Sequence, residues 1–338
     1  MTQRVDVLVV GAGQAGLAAS WRLKQAGCSH LVVDASKAIG DSWRRRYQSL
    51  VLFTPRGLSA LPGKSLAGDQ QGYATRLEFA DYLERYAESN ELPVMSGTRV
   101  ESLSAAAEGF SAKLDNRAEV RARSVIVCTG AFQQAVIPEL STRFHPDMAQ
   151  LTVSTYRSAI SVGKGPVLVV GDGASGRDIA VDLAAKYPVI LATGKRRRLF
   201  PQHVLGVSSW TWMDRLGLLS ASPSSAIGKW MRKADPFPDR GRNNLSLRMR
   251  GIQIRPRLAD ASGWTATFAD GNPSDVGTVI WAVGYRFEDA WIGMPNDTPG
   301  LYFLGRPWQR NRASGLILGA KRDSKVVVSS VLGYLGQP

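Results

Sequence analysis

Two short glycine-rich stretches carry the residue types that hold a phosphate. Gly11-Ala12-Gly13-Gln14-Ala15-Gly16 follows the apolar run VLVV, and Gly171-Asp172-Gly173-Ala174-Ser175-Gly176 follows a second copy of the same run. The first glycine of such a turn permits a tight bend, and the second lets the backbone approach an anion. The third lets the following helix pack close to the strand. The amide-rich start of that helix then faces the charge. The chemistry is therefore the binding of a dinucleotide pyrophosphate, and it is written twice in one chain of 338 residues.

Each turn needs a strand before it and a helix after it, and the pattern supplies both. Residues 6–10 read as a strand, residues 17–27 as a helix that ends at Gly27, and His30–Val33 as the next strand. That strand finishes at Asp34, about 20 residues beyond the first glycine, where a carboxylate meets ribose hydroxyls. In the second copy, residues 166–170 read as the strand, 177–186 as the helix and 189–193 as the next strand. The place of the acid is taken by Thr193, Gly194, Lys195 and Arg196. A carboxylate there would repel a ribose 2′-phosphate, whereas a hydroxyl and two cations would bind it. The first site thus suits a free ribose and the second suits NADPH, with NADH as the alternative; a solvated basic loop is the plainer reading of residues 195–198. FAD paired with NADPH is the natural combination, because a nicotinamide can pass hydride to a flavin.

The bulk composition narrows the class. Apolar residues make up 44% of the chain and charged residues 21%, as in a globular protein with ample core. No apolar run approaches the roughly 20 residues of a membrane span, so no integral membrane segment is expected. The start RVDVLVV enters a strand without a leader pattern, and Cys28 and Cys128 offer neither a disulfide framework nor a Cys-x-x-Cys pair. A cytoplasmic protein is expected. The net charge of +14 calls for anionic partners, but the basic residues are scattered in short knots such as 44–46 and 195–198. With no basic tail and no RNA-binding signature, nucleic acid is not expected as a partner. His30, His145 and His203 show no ligand spacing and read as structural or surface groups; no metal site is expected.

On these residues the chain resembles the flavin-dependent monooxygenases with two dinucleotide-binding folds, a group that includes microsomal drug-oxidising and Baeyer–Villiger enzymes. GAGQAGLA matches their FAD turn, residues 39–63 the segment against the flavin, and VIVCTGAF (125–132) the crossover between domains. VLVVGDGASGRDIA matches the NADPH turn, VIWAVGYRF (279–287) the returning crossover, and GLYFLGRPW with the final helix the close of the FAD domain. The resemblance implies an α/β fold of two Rossmann-like dinucleotide-binding domains, with the NADPH domain (158–275) inserted into the FAD domain (1–157 and 276–338). It implies FAD held by Gly11, Gly13, Gln14, Ala15, Gly16, Asp34, Ala35, Trp43, Arg44, Val100, Thr129 and Gly130. NADPH would be held by Gly171, Gly173, Ala174, Ser175, Gly176, Thr193, Lys195 and Arg196. Phe53 and Thr54 fall at the ring or in the substrate pocket, with simple core packing as the alternative for Phe53.

The implied reaction is reduction of FAD by NADPH, addition of molecular oxygen at C4a, and transfer of one oxygen atom to a soft small-molecule substrate such as a sulfide, amine, ketone or indole. The hard chemistry is the flavin's, so no catalytic triad need appear. Two departures stand out. Thr152 occupies the place of a histidine found in many relatives, and Pro55 follows Phe53-Thr54 where microsomal-type members have asparagine. Proline donates no hydrogen bond, which keeps open a peroxide-producing NAD(P)H oxidase or diaphorase, or a nucleotide sensor without turnover. A disulfide reductase is excluded by the lack of a redox cysteine pair. Residues 200–247, with Trp210, Trp212 and Trp230, read as an irregular cover whose large aromatics belong mainly to the core; exposed aromatics there would permit a homodimer.

Overall fold

The computed structural model describes residues 2–195 and 198–336. Two largely parallel sheets each carry one glycine turn. In the first, the strands lie in the order Val94–Met95, His30–Val33, Thr2–Val10, Glu119–Val127, Gly109–Leu114, Val100–Ala106, with Leu301–Phe303 also paired to Glu119–Val127. Val7, Leu8, Val9 and Val10 are all buried, as a central parallel strand covered on both faces requires. The helix Gln14–Gln25 lays Leu17, Ala18, Ala19 and Leu23 on the sheet and packs against the last helix, Ile317–Leu335. It ends before Gly27, whose φ of +67° lets the chain turn at once into the next strand.

The crossover expected to begin at residue 125 is the end of one long strand. Glu119–Val127 pairs antiparallel with Gly109–Leu114 through its first half and parallel with Thr2–Val10 along its length. The helix Arg76–Ser89 opens with a capping box in which Thr75 and Glu78 satisfy each other's backbone amides. Its buried face, Phe79, Tyr82, Leu83 and Tyr86, joins the core beneath the first sheet.

The second sheet runs Gln253–Arg255, Val189–Ala192, Val167–Val170, Thr278–Trp281, Ala149–Thr152, every pair parallel. Its helix, Ala174–Ala184, packs on Val167–Val170 and Val189–Ala192. Ala149–Thr152 and Thr278–Trp281 lie outside the expected 158–275, yet both are hydrogen-bonded into this sheet. The reason is geometric: Val167–Val170 needs a partner on its second edge, and Thr278–Trp281 supplies it before the chain crosses back.

Residues 199–249 form short strands and the helices Ser209–Arg215, Ala226–Ala234 and Asn244–Met249. Trp210 is fully buried, as expected of a core aromatic. Trp230 is not: it is 51% exposed, because the helix that carries it lies on the outer surface. No described helix is long and apolar enough to cross a membrane.

A methyl group at Gly16 would stand 1.8 Å from the carbonyl oxygen of Gly11, with no flexible side chain to give way. Gly16→Ala is therefore expected to cost about 1–3 kcal/mol and to lower the thermal unfolding midpoint by several degrees. Gly13→Ala, whose methyl meets nothing within 4 Å, should leave the midpoint of the flavin-free protein within a degree or so. Differential scanning fluorimetry of both variants checks the contrast.

Candidate functional site

At the first turn three segments converge. Gly11 adopts φ +107°, and a Cβ on it would sit 2.7 Å from the carbonyl oxygen of Cys128, just beyond the long strand. Gly13 precedes the helix Gln14–Gln25 in an extended conformation, with no side chain capping the helix start and no acid in its first turn. The space above Gly13 is open and the helix amides face it, so an anion fits there. A cleft of about 430 Å³ continues from the turn, lined by Gly11, Asp34, Ala35, Val100 and Thr129. The Asp34 carboxylate accepts from the backbone N–H of Ala12 at 2.6 Å and of Ser36 at 2.7 Å. Both oxygens are oriented by the backbone and keep lone pairs for ribose hydroxyls. These features fit the adenosine and pyrophosphate of FAD. The cleft also takes in Thr98, Arg99, Gln133, Glu288 and Trp291, none of them in the sequence expectation. Only Arg99, beside Val100, had a neighbour to suggest it.

Gly130 has φ +75°, and the Gln133 amide donates to its carbonyl at 2.9 Å and to the Thr129 hydroxyl at 2.7 Å. Trp43 is brought to the turn, its indole N–H donating to the Gln14 side chain at 3.3 Å, and its ring meets Phe79 edge-on at 4.9 Å. Arg44 lies further out, pairing with Asp81 at 2.9 Å and with Glu84 on the helix Arg76–Ser89. Phe53 and Thr54 do not line the cleft. Phe53 packs on Trp210 with ring centroids 5.6 Å apart, and the buried Thr54 hydroxyl bonds Ser59 at 2.9 Å.

The second turn repeats the frame. Gly171 has φ +106° and meets the carbonyl of Ala282, and a Cβ at Gly176 would stand 1.9 Å from the Gly171 oxygen. Gly173 precedes the helix Ala174–Ala184, which again has no side-chain cap and no acid in its first turn. Past the following strand, Thr193 donates its hydroxyl to the Arg255 carbonyl at 3.0 Å, and Lys195 is exposed. Arg196 lies outside the described residues. A buried acid lies in the turn itself: Asp172, ion-paired with Arg177 at 3.1 Å and accepting from the Gly194 amide at 3.4 Å.

Between the two folds sits a buried carboxylate that no sequence motif singles out. Asp178, on the helix after the second turn, accepts from the Tyr47 phenol at 3.0 Å. It also pairs with Arg240 at 3.0 Å and Arg242 at 3.1 Å. Arg240 donates in turn to the carbonyl of Val51. Burial, then the Asp178 charge, pushes the Tyr47 phenol well above its usual range, so it stays a donor, with Ser175 also in hydrogen-bonding reach. One carboxylate thus joins the 39–63 segment, the second nucleotide helix and the 239–244 loop.

The two cysteines are free and buried. Burial, then the nearby Asp6 charge, raises the Cys28 thiol to about 11, and burial alone raises Cys128 further. His30 bonds Ser20 at 2.8 Å and is held below its usual value, chiefly by burial. His145 stacks on Trp264, and His203 bonds Tyr73 at 3.0 Å. Among the described residues no cluster of His, Cys, Asp and Glu could hold a metal ion.

The sequence pattern of the pyridine nucleotide-disulphide oxidoreductase family matches residues 8–212. A Geobacillus kaustophilus protein named as an uncharacterized CzcO-like oxidoreductase is 39% identical over 99% of this chain and 100% of its own. A probable indole-3-pyruvate monooxygenase of Arabidopsis thaliana, YUCCA1, is 27% identical over 88% of this chain and 84% of its own. Among solved structures, a flavin-containing monooxygenase from Stenotrophomonas maltophilia superimposes with a TM-score of 0.82 at 25% identity, over 98% of this chain and 99% of that one.

Asp178→Asn leaves two part-buried guanidiniums short of their counter-charge and should cost about 3 kcal/mol, while Tyr47→Phe removes one hydrogen bond and should cost about 1 kcal/mol. Chemical denaturation of the two variants gives the ratio. With its thiol at about 11, Cys28 is thiolate in only about one molecule per thousand at pH 8. Iodoacetamide at that pH should leave the folded protein unlabelled and label it once unfolded.

Proposed function

The chain belongs to the pyridine nucleotide-disulphide oxidoreductase family, an oxidoreductase membership that implies FAD and a nicotinamide cofactor, and on that premise we propose an NADPH-dependent flavin monooxygenase. The observation that carries the reading is the pair of glycine turns, each with an uncapped helix start, differing in the residues beyond the second strand. Asp34 in the first fold suits a free ribose, and Thr193 with exposed Lys195 in the second suits a 2′-phosphate. The likeness in sequence and structure to monooxygenases supports oxygen transfer to a small soft substrate.

FAD, once bound and reduced by the nicotinamide, supplies the activation of dioxygen: one atom goes to the substrate and the other leaves as water. The protein's part is positional. The helix start beyond Gly13 holds the pyrophosphate, Asp34 orients the ribose, and Trp43 closes over Gln14 beside the turn. Gly173 to Gly176 hold the second pyrophosphate, and Tyr47 and Arg240 tie that turn's helix to the flavin-side segment through Asp178. The family's disulphide chemistry is not assigned, since both thiols are buried and held protonated. Pro55, which has no N–H to offer beside Thr54, favours a second reading in which peroxide is the main product. The inserted domain is placed at residues 158–275, with its sheet completed by the two flanking strands.

Mixing the purified flavoprotein with NADPH without oxygen should bleach the flavin band, and no bleaching would overturn hydride transfer. With labelled dioxygen and a sulfide, amine, ketone or indole, one labelled atom should enter the product; peroxide equal to NADPH consumed with every substrate would favour the oxidase. Lys195→Ala should raise the KM for NADPH about tenfold and leave that for NADH unchanged. Equal effects on the two coenzymes would remove the 2′-phosphate role.

A further inference from the structure

The outer face of residues 199–236 carries a groove of about 550 Å³ whose lining, including Phe200, Val204, Leu205, Trp212, Ile227 and Trp230, is almost wholly apolar. Leu205 is 89% exposed, Leu216 68% and Trp230 51%. Contiguous exposed apolar surface of this kind marks a binding face. Leu205 also stands at the tip of the hairpin formed by His203–Val204 and Val207–Ser208, with φ +53°. A bulky side chain is strained in that region, and here it gains no burial within the chain. The helix Ala226–Ala234 presents Ile227 and Trp230 one turn apart beside the hairpin.

Around this apolar centre the charge is mainly positive. Arg198, Arg215, Lys229, Arg232 and Lys233 are exposed, and among the described residues none of the five is in an ion pair. Arg198 lies 6.0 Å from the Trp230 ring and Arg215 5.7 Å from that of Trp212. The neighbouring acids are ion-paired, Asp214 with Arg322 at 2.7 Å and the half-exposed Asp235 with Arg312 at 3.5 Å.

We propose that this face docks on an anionic lipid surface. Leu205, Leu216, Ile227 and Trp230 enter the boundary between headgroups and acyl chains, and the five cations meet the phosphates. Tryptophan at the rim suits that boundary, with an apolar body and a polar N–H. Charge decides between occupants. A second copy docked face to face through a twofold axis would bring one basic rim against another. A nucleic acid would satisfy the cations but leave the leucines in water. The proposal is independent of the reaction: the groove shares no lining residue with the cleft at the first glycine turn.

The test is cosedimentation of the flavin-loaded protein with vesicles of phosphatidylcholine alone or mixed with phosphatidylglycerol. Binding is expected only to the anionic vesicles, with release as salt rises toward about 0.5 M. Lys229→Glu with Arg232→Glu and Lys233→Glu should weaken partitioning about a hundredfold or more. Equal charge removal at the exposed Arg4, Lys113 and Arg117 should change it far less. Leu205→Ser with Trp230→Ser should weaken it about tenfold or more at constant charge, with flavin absorbance and far-UV circular dichroism confirming the fold. Failure to bind anionic vesicles overturns the proposal. So does wild-type binding by the Leu205–Trp230 double variant, which would leave only adhesion of a chain of net charge +14. A dimer in solution that this double variant dissociates, without vesicle binding, would assign the face to a second copy instead.

Discussion

A carbonyl oxygen that tolerates no side chain opposite it governs the architecture. The backbone of Gly11 comes so close to the helix behind it that any Cβ at Gly16 would overlap the oxygen, and Gly171 with Gly176 repeats the contact. That approach seats the helix start directly beyond the strand end. Each strand of the crossing connection is then drawn in as well, since Gly11 touches the carbonyl of Cys128 and Gly171 that of Ala282. Three segments meet at one point in each fold, and that point is where the helix amides face outward. A site for phosphate is a by-product of close packing, which is why the two turns share one frame.

The frames differ in where the acid that braces the turn lies. In the first fold Asp34, beyond the second strand, reaches back to the amide of Ala12 in the turn. In the second, Asp172 in the turn reaches forward to the amide of Gly194 beyond the second strand. Both arrangements brace turn against strand with a carboxylate–amide bond. The first puts the acid beyond the second strand, where we propose the ribose, and the second puts exposed Lys195 at the corresponding place in the chain. The proposed difference in coenzyme thus comes from exchanging the two ends of one stabilising contact.

Two such folds cooperate only if something sets their spacing. The buried Asp178 does so by gathering Tyr47, Arg240 and Arg242 from separate segments. Its charge is taken from water once, and two hydrogen-bond donors, Tyr47 and Arg240, with the ion pair to Arg242, compensate it. Tyr47 belongs to the stretch that passes the first turn, and Asp178 to the helix of the second. The proposed hydride transfer between bound nucleotides would depend on that distance, so the carboxylate's part in it is one of geometry.

The local machinery was legible in the amino-acid order: strand, glycine turn, helix, strand and terminal acid, because each rests on short-range sterics and residue spacing. The helix positions, Gly27 as a helix end and the place of Asp34 after its strand could be read for that reason. The crossover at 125–132 was legible but not the long strand that ends in it, since a continuous strand with two partners leaves no mark in its own residues. Residues 149–152 were not assignable to the second sheet either, because their pairing with Thr278–Trp281 spans more than a hundred residues and is a property of the sheet. The resemblance assigned Arg44, Phe53 and Thr54 to the flavin side; the contacts they make in the fold, Phe53 with Trp210, Thr54 with Ser59 and Arg44 with Asp81, are not encoded in spacing along the chain. The folded chain alone decided the Asp178 node, the lining by Gln133, Glu288 and Trp291, and the exposure of Trp230. Burial and charge compensation depend on which segments become neighbours, and spacing along the chain does not encode that.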